Sequence, residues 1–290
     1  MKKISTFSIV AYSPDEGAWG IAVASKFPAV GAVVPWAKAG AGAVATQSYA
    51  NTSFGPLALE WMENGKSAQE TLDHLLAGDD QPDLRQVGLV DAQGQAATFT
   101  GEGCLSWAGG RVGKHFTAQG NILTGPETVD AMVEAFQDSS GDLPDRLIAA
   151  LLAGDQAGGD RRGKQSAAIY VVRPEGGYGG YNDRWIDYRV DDHEDPIPRL
   201  VELVQMHRLY FEKSEEEARV RLTGEPLRQL QTIAQNLGYY QGAVNGEYDE
   251  PTRKALRDFI GNENFEDRFE FEKGEIDEPV LAFLLKQFYR

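Results

Sequence analysis

Thr6 opens the run Thr6-Phe7-Ser8-Ile9-Val10-Ala11-Tyr12. A Thr at the first position of a mature chain attacks a carbonyl because its own α-amine, with a pKa of about 8, takes the hydroxyl proton. No histidine is needed. While Met1-Lys2-Lys3-Ile4-Ser5 stay attached, that amine is an amide and cannot act as a base, so this chemistry requires cleavage upstream of Thr6. Lys26 follows Gly20-Ile21-Ala22-Val23-Ala24-Ser25 and could support an attacking oxygen or depress a nearby amine pKa; it also reads as a solvated strand end. Gln119 and Asn121 flank Gly120 and offer amide donors to an oxyanion or a substrate, or simply local turn chemistry. Asp160, Arg161 and Arg162 precede an apolar strand. There an Asp can orient an Arg toward a bound carboxylate, the alternative being a surface ion pair worth little.

Other reactive groups are sparse. Cys104 is the single cysteine, a reactive thiol or a buried and inert one. His74, His115, His193 and His207 are scattered and give no zinc spacing. His193 beside Asp191, Asp192 and Asp195 reads as solvated charge more readily than as a cation site, so no metal and no cofactor is expected. A net charge of -16 sets the surface against polyphosphate. The dense basic cluster Arg161-Arg162-Gly163-Lys164 suits one carboxylate or phosphate rather than a duplex, and nucleic acid is not an expected partner. The composition, 42% hydrophobic and 25% charged, is that of a globular chain, with no window near the roughly 18 apolar residues of a membrane span. Ser13-Pro14-Asp15-Glu16 interrupts the one early apolar stretch, so no secretory signal is read. A cytoplasmic location without disulfides is the expectation.

The elements that must position these groups come in pairs. Strands are expected over 6–12 and 18–26, 31–36 and 42–47, 87–91 and 96–100, then 115–119, 166–172 and 185–190, each bounded by Gly, Pro, Asp or Asn. Helices are expected from Gly55-Pro56 onward, from the cap Ser67 with Glu70 three residues later, from Pro126, and over 143–153. Strand pairs and helix pairs alternate twice. Two antiparallel sheets packed face to face, with a helix pair on each outer face, satisfy that order: an α+β fold built as a four-layer αββα sandwich. A helix over 197–218 then leads to a second, small all-α unit. The expected organisation is residues 1–211, a helical linker over 212–224, and residues 225–290. Such domains often pair through their helices, which makes a homodimer one expected assembly.

Four stretches together resemble the DUF1028 family of the N-terminal nucleophile (Ntn) hydrolase superfamily: Thr6 to Ala11 with Gly20 to Lys26, Gln119-Gly120-Asn121, Gly159 to Ser166, and Trp185 to His193. The resemblance covers about 1–211. It implies the αββα sandwich and kinship with proteasome subunits and amidohydrolases, without implying a known reaction. Members often begin Met-Thr-Phe-Ser, whereas here Lys2 is too bulky for ordinary Met removal and Ser5 stands before Thr6. The end of the chain is similar to peptidoglycan-binding-like domains, through Leu230-Gln231, Gly238-Tyr239-Tyr240-Gln241-Gly242, Asn245-Gly246, Tyr248 and Thr252. The expected activity is therefore an Ntn-type hydrolase acting on an amide or other C–N bond of a small metabolite. The alternative is a non-catalytic protein that holds a small ligand on the same fold, with the second unit engaging a peptidoglycan fragment or a protein partner.

Overall fold

The computed structural model describes residues 6–212 and 218–289. The expectations on Met1 to Ser5, and the part of the expected linker over 213–217, lie outside the described residues. The chain divides into two compact units, 1–204 and 205–290.

In the first unit, β1 (Thr6–Ser13) and β2 (Ala18–Ser25) pair antiparallel, Phe7 opposite Ala24 and Ser13 opposite Ala18. Their turn closes on Gly17, whose φ of 56° falls where a Cβ would be strained. Next come β3 (Pro35–Lys38), β4 (Gly42–Ser48), α1 (Phe54–Glu63), α2 (Ala68–Ala77), β5 (Arg85–Asp91) and β6 (Ala96–Thr100). The unit continues with β7 (Gly109–Gly113), β8 (Phe116–Asn121), α3 (Glu127–Asp138), α4 (Leu143–Gln156), β9 (Ser166–Val172) and β10 (Arg184–Val190), and α5 (Pro196–Phe211) begins in it and runs past its last residue, Val204. A six-stranded sheet runs β10-β9-β2-β1-β8-β7 and a four-stranded sheet β3-β4-β5-β6, with every pairing antiparallel.

Alternation along the strands divides the side chains between three apolar cores. Phe7, Ile9 and Ala11 face α3 and α4, where Phe136, Leu143, Leu147 and Leu151 are buried and the Phe116 and Phe136 rings sit 4.8 Å apart. Val10, Ile21, Val23, Ala43, Ala45 and Val90 meet between the two sheets. On the far side of the four-stranded sheet, Val44, Val87 and Leu89 pack on Phe54, Ala58, Met62, Leu72 and Leu75 of α1 and α2. Side chains of that size each stabilise by about 1.5–3 kcal/mol when fully buried. The Ser67–Glu70 capping box closes the start of α2 as its spacing requires.

Several boundaries differ from the sequence reading. Val30–Ala32 is a 3-10 turn, so β3 starts only at Pro35. β7 was not anticipated, because its Gly109-Gly110 start reads as loop. The helix after 196 ends at Phe211 rather than at 218.

In the second unit, α6 (Gly224–Asn236), α7 (Glu250–Asn262) and α8 (Glu278–Phe288) enclose Leu227, Leu230, Ile233, Leu256, Phe259 and Leu284. The expectation of an all-α unit needs correction. A three-stranded sheet joins β11 (Arg219–Arg221), β13 (Glu275–Asp277) and β12 (Phe269–Glu270) in that order. Strands of two or three residues carry too little alternation to be read, and this sheet is fixed by side chains: Arg219 and the buried Arg268 both donate to the fully buried Asp277.

Candidate functional site

Because side chains alternate, Thr6, Ser8 and Val10 all project from β1 toward the four-stranded sheet. There a group of buried polar residues gathers. Ser8 Oγ donates to Gln47 Oε1 at 2.7 Å, and Gln119 Nε2 donates to Ser8 Oγ at 2.7 Å. Gln47 Nε2 donates to Gln86 Oε1 at 2.9 Å, with longer contacts to the carbonyls of Gln119 at 3.4 Å and Thr6 at 3.5 Å. Asn121 Nδ2 also donates to Gln86 Oε1, at 2.9 Å, and Gln86 Nε2 donates to the Gly120 carbonyl at 2.7 Å. Thr117 Oγ1 donates to Gln119 Oε1 at 3.0 Å. Thr6, Ser8, Gln47, Gln86, Thr117 and Gln119 are wholly buried and Asn121 nearly so, so each hydrogen bond offsets a desolvation that would otherwise be costly.

Thr6 sits at one end of this network, paired with Asn121 across β8. Its hydroxyl donates to Ser25 Oγ at 3.4 Å. Ser25 in turn lines a small cleft of about 80 Å³ with Phe7, Ala24, Asp155, Asp160, Lys164, Ser166 and Ile197. A cavity of roughly 150 Å³ holds a benzene ring, so this one admits a group of only a few heavy atoms.

The polar wall of the cleft is a set of ion pairs. Asp160 is buried; its Oδ2 accepts from the Lys26 backbone N–H at 2.8 Å and from Arg162 Nη2 at 3.0 Å, and its Oδ1 from the Arg162 N–H and Nε. The Lys26 ammonium donates to the Lys164 carbonyl at 3.0 Å. Lys164 Nζ donates to Asp155 at 2.6 Å and to Asp195 at 2.9 Å; the bond it makes to Asp155, supported by Asp195 against partial burial, raises its pKa above the usual lysine value. Arg161 is exposed and uses its backbone N–H on the Ile122 carbonyl at 3.2 Å.

All the residues singled out from the sequence therefore fall at the Thr6 end of the six-stranded sheet, in two settings. Thr6, Gln119 and Asn121 share the buried network. Asp160 reaches the cleft, while the side chains of Lys26, Arg161 and Arg162 lie at the surface beside it. Ser8, Ser25, Gln47 and Gln86 were not singled out. The signal was available: Gln47 shares its strand face with Ala43 and Ala45, and Gln86 with Val90, and those apolar residues lie between the sheets.

Cys104 is half-buried, and its burial raises the thiol pKa. Among the described residues no group of three or more His, Cys, Asp or Glu is arranged to hold a metal ion, and no helix is long and apolar enough to cross a membrane.

In the second unit the motif residues bond to one another. Gln231 Oε1 accepts from the Gly246 N–H at 2.9 Å, its Nε2 donates to Thr252 Oγ1 at 2.9 Å, and Thr252 Oγ1 donates to Tyr240 OH at 3.3 Å. Tyr248 OH donates to the Phe271 carbonyl at 2.8 Å.

No curated protein matches the chain. A crystal structure of a DUF1028 protein from Silicibacter pomeroyi is similar, at 32% identity and a TM-score of 0.64 over 70% of this chain and 89% of that one. Residues 210–284 match the PG_binding_2 model, so a peptidoglycan-binding-like domain is present. Residues 6–200 match the model of a family of unknown function, and this chain belongs to that family, DUF1028.

Proposed function

We propose that residues 1–211 form an Ntn-type hydrolase, its two stacked sheets and outer helices making a four-layer αββα sandwich, with Thr6 as nucleophile. The observation that carries the reading is the position of Thr6: at the head of a central strand, its hydroxyl on Ser25 at the wall of a cleft. Once residues 1–5 are removed, the new α-amine takes the Thr6 hydroxyl proton as the oxygen attacks an amide or other C–N carbonyl of a small metabolite. The proton passes to the departing amine, and water then hydrolyses the ester left on Thr6. The cleft volume favours substrates with a small acyl group. Intact-mass measurement of protein from its native host, with turnover of a panel of small amides, tests this. The expected result is a chain beginning at Thr6 whose turnover is lost in Thr6→Ala; a chain beginning at Met1 or Lys2, with turnover undiminished in Thr6→Ala, refutes it.

A second reading rests on a different observation. Lys164 lines the cleft, Arg162 sits on Asp160 in its wall, the Lys26 ammonium is on the Lys164 carbonyl, and Arg161 next to Arg162 in sequence is exposed, a basic set suited to holding a small anion without turnover. Thermal shifts by small carboxylates or phosphate, lost in Arg161→Ala and accompanied by no product, favour it. For residues 225–290 we propose engagement of a glycan or peptide-stem fragment of peptidoglycan. Retention of the full chain on purified sacculi, competed by soluble fragments, is the expected outcome, and passage through the column refutes it.

A further inference from the structure

We infer that β10 is a self-association edge, joining two copies of this chain into one continuous sheet. β10 ends the six-stranded sheet, and among the described residues no strand pairs with its outer edge. β3, the matching edge of the other sheet, packs over β2 and β9, so β10 projects past it. The ledge this leaves is a groove of about 350 Å³ lined by Trp36, Tyr170, Arg184, Asp187 and Arg189. A seven-residue edge strand can template pairing with another chain.

The charges on the ledge choose the occupant and the register. Asp187 and Arg189 lie opposite Tyr170 and Ala168 of β9, and so face the same side of the sheet. Consider β10 meeting a second copy antiparallel about a two-fold axis perpendicular to the sheet. Directly opposed residues must then share a face, so the axis passes through a residue position. Centred on residue 187, the pairing sets Asp187 against its own copy. Centred on residue 189, it sets Arg189 against itself and Asp187 against Asp191. Centred on Tyr188, it sets Asp187 against Arg189 twice and Ile186 against Val190 on the opposite face, all on the regular side of the bulge between Arg184 and Ile186. Opposite charges across strands stabilise and like charges destabilise; a pairing centred on Val190 would oppose Arg189 and Asp191 but engages only the end of β10, so the Tyr188 register is the self-complementary one that uses the strand. Within one copy Arg184 pairs with Asp187 and Arg189 with Asp191, both at 3.2 Å and largely exposed. Such pairs are weak and can exchange for the intermolecular ones. The partner is a second copy of this chain, and the inference does not depend on chemistry at Thr6.

Sedimentation of the full-length chain over a dilution series tests it. The wild type is expected to sediment as a dimer. Arg189→Asp and Asp187→Arg each place like charges opposite one another and are expected to weaken the dimer at least tenfold, while the double reversal restores it. Tyr188→Cys in a Cys104→Ser background gives a second measurement that does not rely on charge: Cα atoms directly opposed at the axis are within disulfide reach, so oxidation should yield a covalent dimer. A monomeric wild type, a folded single reversal that dimerises as well as the wild type, a folded double reversal that stays monomeric, or no cross-link at residue 188 overturns the inference.

Discussion

Replacing Gln86 by Leu tests whether the inter-sheet amide network holds the site together. The two side chains are close in size, so little cavity is made and the loss is one of hydrogen bonds. Gln86 Nε2 gives up bonds to the Gly120 carbonyl at 2.7 Å and Thr100 Oγ1 at 2.9 Å. Its Oε1 is the acceptor for Gln47 Nε2 and Asn121 Nδ2, both at 2.9 Å. A buried donor stripped of its acceptor costs about 1–3 kcal/mol, and two are stripped here. Gln47 Nε2 has longer contacts to the Thr6 and Gln119 carbonyls that can shorten, which recovers part of the loss. The net expectation is destabilisation by about 2–4 kcal/mol, or roughly 5–15 °C in Tm for a unit of this size. Thermal unfolding followed by circular dichroism measures it, with Gln93→Leu on the exposed β5–β6 turn as the control. A Gln86→Leu protein melting within about 2 °C of that control would refute the claim that these amides hold the sheets in register.

Three further outcomes follow from the same geometry. A Cβ at Gly88 would lie 2.2 Å from Gln119 Oε1; because Gln119 is tethered to Ser8 and Thr117, Gly88→Ala should cost about 1–3 kcal/mol in urea unfolding, and a neutral result would mean the amide moves freely. Burial disfavours the charged form of Asp79, yet hydrogen bonds from Arg85, Asn51 and the Gln81 N–H outweigh it and hold the carboxyl at about 2, below its ordinary 3.8. A depressed carboxyl stabilises the fold above its unfolded pKa and loses that contribution as pH falls through the folded one. Asp79 therefore supplies about 2 kcal/mol at pH 7 that disappears between roughly pH 4 and 2, and urea midpoints of Asp79→Asn should lack that acid slope. In the second unit Gln231→Leu removes the acceptor of the Gly246 N–H and the donor to Thr252 Oγ1; amide exchange should speed up across the connector that carries Tyr240 and Tyr248, and unchanged protection there would show that the motif does not order it.

What could be read from the chain was what periodicity and turn chemistry encode locally. The β1–β2 and β5–β6 hairpins, the Ser67–Glu70 cap and the alternation of strand pairs with helix pairs each follow from a few neighbouring residues. β7 escaped because its glycines signal loop, and the sheet of the second unit because its strands are two or three residues long and β11 joins it through Arg219, 58 residues from Asp277. For the site, the individual positions were legible while their settings were not. Gln119 and Asn121 read as donors to a ligand, yet the bonds they make run to Ser8 and Gln86. Lys26 read as support for Thr6, yet its ammonium goes to the Lys164 carbonyl. Which side chain an amide or ammonium meets is decided by how the two sheets stack, and spacing along the chain carries no record of that.

Stacking in turn explains why glutamines rather than leucines occupy the space beside Thr6. Slipping β1 by one residue would turn Thr6 and Ser8 toward α3 and α4 and bring Phe7 and Ile9 between the sheets. Burial alone resists such a slip weakly, since both faces of β1 are covered and apolar side chains suit either one. The amides resist it strongly. With Ser8 displaced, Gln47 Oε1 loses a donor and Gln119 Nε2 an acceptor where all three side chains are wholly buried, and each orphaned group costs about 1–3 kcal/mol. Polar residues at this interface thus contribute little net stability per bond and much discrimination between registers. The register they enforce is the one that points the Thr6 hydroxyl at Ser25. A Gln47→Leu/Gln86→Leu/Gln119→Leu chain should accordingly stay collapsed while the β1–β8 amide resonances broaden, and sharp, unshifted resonances there would show that the register is set elsewhere.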